Sequence, residues 1–145
     1  LGICLGMQLL FDRGNEHAEP PAFGEVPEWV PGLGILRGEV RRLEGRGVKV
    51  PHVGWNAADF TASGERCPLF DGVADGTYFY HTHSYVCHPE DSSQVIATTE
   101  HGARFASAVW DGRLVFGTQF HPEKSSAAGQ RVMSNFTSLA LRSAL

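Results

Sequence analysis

Gly2-Ile3-Cys4-Leu5-Gly6-Met7-Gln8-Leu9-Leu10-Phe11 opens the chain directly after Leu1, and its reading decides the fold. The first five of these residues form a G-x-C-x-G pattern, the cysteine version of the G-x-S-x-G nucleophile elbow. In that motif the nucleophile sits on a sharp, strained turn between a strand and a helix. Both glycines are expected to be required, because a side chain on either side would clash as the backbone doubles back. Met7 to Phe11 then read as the first turns of a helix, with no breaker before Gly14. A cysteine at a helix N-terminus faces the positive end of the peptide dipoles, which favours thiolate over thiol. The elbow also needs a strand leading into it, and almost nothing precedes Cys4.

A reactive thiol needs a base to deprotonate it and a group to orient that base. Gly117-Thr118-Gln119-Phe120-His121-Pro122-Glu123-Lys124-Ser125 supplies both. A strand is expected to end at Phe120, with His121 and Glu123 on the loop beyond it and Pro122 stiffening the backbone between them. The order is Cys4, His121, Glu123. Taken alone, His121-Pro122-Glu123 reads as a capping histidine and a solvated acid; paired with the elbow, it reads as base and orienter.

The chain has 145 residues, enough for one domain with a real core. Hydrophobic residues at 42% and charged residues at 19% describe an ordinary globular protein. A formal charge of -4 gives no basic footprint for nucleic acid, and no apolar run reaches membrane-spanning length. Cys4, Cys67 and Cys87 are odd in number and irregularly spaced. That argues against a disulfide framework and fits a reducing, cytoplasmic compartment.

Residues 13–34, with Pro20, Pro21, Pro27 and Pro31, read as a long surface loop without chemistry. Extended segments are expected over 34–43, 48–50 and 55–60, with Pro51-His52-Val53-Gly54 as a corner. A short helical turn is expected within 67–73. Thr77 to Val86, Val95 to Thr99 and Arg104 to Trp110 read as strands. Asp111-Gly112 turns the last of these into Leu114 to Phe120. From about Ser126, Val132, Phe136, Leu139 and Ala140 follow helical spacing with one face on the core. This order of a helix, several antiparallel-looking strands and a closing helix by itself suggests α+β.

Gly2-Ile3-Cys4-Leu5-Gly6-Met7-Gln8 and Phe120-His121-Pro122-Glu123-Lys124-Ser125 resemble the two hallmark motifs of class I (triad) glutamine amidotransferases. Within that family, Pro51-His52-Val53-Gly54-Trp55-Asn56 and His83-Ser84-Tyr85 resemble one branch. Its members are glutaminase subunits that pass ammonia to a (β/α)₈-barrel cyclase, which makes imidazole glycerol phosphate in histidine biosynthesis.

The resemblance implies a flavodoxin-like α/β fold, a mixed sheet with extra antiparallel strands and flanking helices. It implies that Cys4 attacks the side-chain amide of L-glutamine, that His121 moves the protons, and that Glu123 holds the imidazole. The Leu5 N–H would be an oxyanion donor, and Gln8 with His83, Ser84 and Tyr85 would hold the α-amino and α-carboxylate groups. His52, Trp55, Asn56 and Tyr80 would face the cyclase. No cofactor is implied.

Family members place a half-sheet and a glycine-rich oxyanion loop before the elbow. Residues 1–145 are therefore expected to be the C-terminal part of a single amidotransferase domain, with poor glutamine hydrolysis on their own. Rival readings are a glutaminase subunit of another amidotransferase, a cysteine peptidase, or an inactive binding module. His81 and His83 share a strand face, and Cys87-His88 follows, but no compact cluster with metal-site spacing emerges, so no metal is expected.

Overall fold

The computed structural model describes residues 1–16, 29–45 and 47–143. Pro20, Pro21 and Pro27, in the loop expected over 13–34, lie outside the described residues. In chain order, β1 (Gly2–Ile3) leads through Cys4 into α1 (Leu5–Leu9), followed by β2 (Arg13–Gly14), β3 (Val30–Pro31) and β4 (Gly38–Arg42). Next come β5 (His52–Phe60), β6 (Thr77–His83), β7 (Tyr85–Pro89), β8 (Val95–Glu100), β9 (Arg104–Trp110) and β10 (Phe116–Thr118), and α2 (Ser126–Ser143) closes the chain.

The strands form one mixed sheet in the order β3-β2-β4-β7-β9-β8-β5-β6, with β10 joined to β9 and β1 to β10. β1 runs parallel to β10, and β2 parallel to β4. The remaining pairings are antiparallel. Helices flank both faces. Met7 of α1 and Leu10 and Phe11 just after it pack with Leu36, Val40, Cys87 and Val109. Val132 of α2 joins Leu69, Phe79, Ile96, Ala108, Phe116 and Phe120 in the larger core. Ala108 and Val109 are neighbours on β9, and successive strand residues point to opposite faces. The two cores therefore lie on opposite sides of the sheet, which makes the fold α/β, not the α+β arrangement that the element order alone suggests.

The lead-in strand is short but present. Gly2 and Ile3 pair with Gly117 and Thr118 of β10, so the sheet itself supplies the support that the elbow needs. The single strand expected from Thr77 to Val86 is two strands meeting at Ser84. β6 stays with β5, whereas β7 pairs with β4 and β9. Pro51-His52-Val53-Gly54 is not a corner beyond Pro51, because His52 to Ala58 form an unbroken ladder with His83 to Thr77. Along α2, Val132 is buried, and Phe136 and Leu139 pack on the core. Ala140 is exposed.

Candidate active site

Cys4 has φ 52° and ψ -107°, in the left-handed half of backbone space that costs a non-glycine residue of order 1–3 kcal/mol. The fold holds it there. The Cys4 N–H donates to the Thr118 carbonyl at 2.7 Å, and the Cys4 carbonyl accepts from the Gln8 N–H at 3.1 Å. Gly2 is required because a Cβ there would run into the carbonyl of Gly6 and lie 2.8 Å from the Met7 nitrogen. Gly6 is not required on that ground, since a Cβ there would meet nothing within 4 Å. The expected clash is one-sided because only Gly2 lies against the returning backbone.

The thiol is held between β6 and the residue that follows β10. Its Sγ donates to the Thr82 carbonyl at 3.8 Å and accepts from Gln119 Nε2 at 3.6 Å. Burial pushes the Cys4 thiol above its ordinary value, opposed by the Leu5 N–H and the Gln119 amide and reinforced by the Glu123 and Glu16 charges. The resting group is thus a thiol. This corrects the helix-dipole expectation: α1 has only five residues, and burial is the largest effect on this thiol. Cys67 and Cys87 are buried and free, and burial pushes both thiols up, that of Cys67 to about 11. Cys4 is the accessible one.

His121 Nδ1 lies 2.6 Å from Glu123 Oε1, so Nδ1–H faces the carboxylate and Nε2 is the basic nitrogen. That Nε2 is buried and has no protein partner among the described residues. The loop is clamped onto β6. The His121 N–H donates to the Tyr80 carbonyl at 2.9 Å. The Ser125 hydroxyl accepts from the Tyr80 N–H at 2.9 Å and donates to the His121 carbonyl at 2.6 Å.

Around the thiol, Gln8 Nε2 donates to Gln119 Oε1 at 3.1 Å and to the Tyr85 carbonyl at 3.2 Å. Leu5, Gln8, Arg13, Gly14 and Glu16 line a cavity of about 160 Å³ against α1, so residues read as an inert loop contribute to it. Ser84 gives its carbonyl to the Leu43 N–H at 2.8 Å. The His83 ring is taken up by His52 Nδ1 and the Tyr85 carbonyl, each at 3.0 Å. Of the residues expected at a partner surface, Trp55 is 47% exposed and meets Tyr80 edge-on. Asn56 is half-buried and bonds His52, which is buried.

Two site residues escaped the sequence reading. Gln119 and Ser125 are buried polar residues inside the second motif, and their only signal was polarity where a strand enters the core. The reading also found no compact histidine cluster, yet β5 brings His52 to His81 and His83, and one ring nitrogen from each lies within 4.8 Å of the others. Sequence spacing could not show this because the third residue comes from another strand.

A strained cysteine, a carboxylate-oriented histidine and a doubly flanked sheet are the features expected of a domain that processes amides through a thiol. Residues 1–139 match the family described as Glutamine amidotransferase class-I, and the chain belongs to that family, with its flavodoxin-like α/β fold. The chain is similar to Imidazole glycerol phosphate synthase subunit HisH of Moorella thermoacetica, 47% identical over 139 residues, 96% of this chain and 59% of that protein. The subunit of the same name from Dehalococcoides mccartyi is 45% identical over 141 residues, 97% of this chain and 62% of the relative. That of Thermococcus kodakarensis is 43% identical over 143 residues, 96% and 65%. The chain spans about three fifths of the length of these curated relatives.

Proposed function

We propose that the protein carrying this chain is the glutaminase subunit of an imidazole glycerol phosphate synthase, hydrolysing L-glutamine and passing ammonia to a (β/α)₈-barrel cyclase. The observation that carries this reading is the unclaimed Nε2 of His121, oriented by Glu123, whose charge also acts on the strained Cys4.

With glutamine bound, His121 Nε2 takes the thiol proton as Cys4 Sγ attacks the amide carbon. The resulting oxyanion faces the Leu5 N–H, a donor type whose removal costs about 10²–10³ in rate. The imidazolium then returns the proton to the nitrogen as the C–N bond breaks, leaving ammonia and a glutamyl thioester. Water, deprotonated by His121, cleaves the thioester and releases glutamate.

Gln8 and the His83-Ser84-Tyr85 segment are assigned to the α-amino and α-carboxylate groups, with His83 contributing backbone rather than its engaged ring. Glu16 adds a carboxylate for the α-ammonium group, supported by its place in the cavity and its action on Cys4. Trp55 and Tyr80, with the exposed Val53 and Tyr78 beside them on the β5–β6 ribbon, offer an apolar face to the cyclase. His52 and Asn56 stiffen that ribbon from within.

The test is the full-length protein with its cyclase, glutamine and a glutamine-analogue electrophile. Ammonia release that disappears in Cys4→Ala, with the covalent mass added on Cys4, is expected. Peptide cleavage without glutamine turnover would overturn the assignment.

A further inference from the structure

His52, His81 and His83 meet through strand register. β5 pairs with β6 so that His52 faces His83, and His81, two residues earlier, shares that face. Gly54 stands opposite His81 and brings no side chain. The three histidines are 1%, 0% and 6% exposed.

The hydrogen bonds around them decide which nitrogens carry protons. Asn56 Nδ2 donates to the Glu100 carbonyl at 3.1 Å, so Asn56 Oδ1 is the atom facing His52 Nε2 at 2.8 Å. An amide oxygen only accepts, and His52 therefore holds its proton on Nε2. His83 Nδ1 faces the Tyr85 carbonyl at 3.0 Å, also an acceptor only, and His83 holds its proton on Nδ1. His52 Nδ1 and His83 Nε2 are left as two lone pairs facing each other at 3.0 Å. The His81 ring adds a third donor atom, since both its nitrogens are buried without a protein partner among the described residues.

A proton shared between His52 and His83 would leave His81 unanswered. It would also place an imidazolium among three buried rings, where a charge is costly. Neutral imidazoles with their second nitrogens tied to outer acceptors are the form that binds metal. Two nitrogens on a tetrahedral zinc ion stand about 3.3 Å apart for bonds of about 2.0–2.1 Å, close to the observed gap.

We infer that His52 Nδ1, His83 Nε2 and one nitrogen of His81 form a three-imidazole site for a divalent transition-metal ion of the zinc type. The site is distinct from the cysteine centre but touches it through the backbone. The Tyr85 carbonyl serves both His83 and Gln8, and Thr82, between the two ligands on β6, accepts from the Cys4 thiol. A bound ion would stiffen the strand against which the nucleophile rests.

The experiment uses tag-free full-length protein carrying Cys4→Ser, which removes the competing thiol. It is titrated with Zn²⁺ and, as a spectroscopic stand-in, Co²⁺. Expected are one zinc per chain after dialysis, visible tetrahedral Co²⁺ absorption, and a zinc-dependent rise in Tm. His81→Phe and His83→Gln should each weaken binding by more than ~100-fold, and Asn56→Leu, outside the ligand shell, by ~10–100-fold. Circular dichroism identifies the variants that remain folded. Folded Cys4→Ser protein that retains no zinc, or unchanged zinc binding in folded His81→Phe or His83→Gln, would overturn the site.

Discussion

In the proposed mechanism Glu123 acts only through His121, and the 2.6 Å contact from Nδ1 to its carboxylate sets the tautomer. Glu123→Gln keeps the shape but can present an amide N–H to Nδ1 and trap the proton on Nε2. The expected result is a fall in kcat for ammonia release of up to ~10⁴, with a smaller change in KM, read from steady-state kinetics with the cyclase present. The thiol itself is tuned in the opposite direction from an isolated helix-terminal cysteine. Because burial disfavours the thiolate, alkylation of Cys4 by iodoacetamide should be slower at pH 8 than that of a free-cysteine peptide. It should still be rising above pH 9, where a thiol at the ordinary value of 9.0 begins to level off. Gln119→Leu removes one of the groups that lower the value, so its alkylation profile should move to higher pH. Rates followed by mass spectrometry on the Cys4 peptide check both outcomes.

At the scale of elements, the elbow depends on contact with β10 and on one glycine rather than two. Gly2→Ala forces a Cβ into the backbone of Gly6 and Met7, neither of which can move without shifting the helix. A loss of about 1–3 kcal/mol is expected in urea denaturation, with loss of glutamine turnover. Gly6→Ala, in open space on α1, should be neutral or stabilising by up to ~1 kcal/mol. The base is placed by an equally local device, in which Ser125 links the His121 carbonyl to the Tyr80 N–H. Cys4 and His121 are thus tied to different strands, β10 and β6, and the sheet sets their relation.

The whole molecule presents a sheet with helices on both faces and a ribbon, β5–β6, at one end of the strand order. That ribbon is two-sided. Its inner face carries Phe79, His81 and His83, while its outer face exposes Val53, Trp55 and Tyr78. If the outer face docks the cyclase, Trp55→Ala should weaken association by at least ~30-fold, the scale of an aromatic hot spot at about 2 kcal/mol. The isolated protein should keep its stability within about 0.5 kcal/mol. Titration calorimetry against the cyclase and thermal melts of the subunit alone measure the two quantities. No helix among the described residues is long and apolar enough to cross a membrane.

By itself the sequence determined what depends on local spacing. G-x-C-x-G predicts the elbow at Cys4, His121-Pro122-Glu123 the base and its orienter, and the period of residues 126–143 the closing helix. Each is encoded within a few residues, so neighbours in the chain suffice to read it. Tertiary structure alone decided what depends on which strands lie side by side. It split the Thr77–Val86 run at Ser84, brought Gln119 onto the Cys4 thiol, and turned Arg13 and Glu16 into the lining of a cavity. It gathered His52 with His81 and His83. It also reversed the sign of the thiol's shift, because desolvation is a property of everything packed around Cys4 and the dipole belongs only to the short helix that follows it.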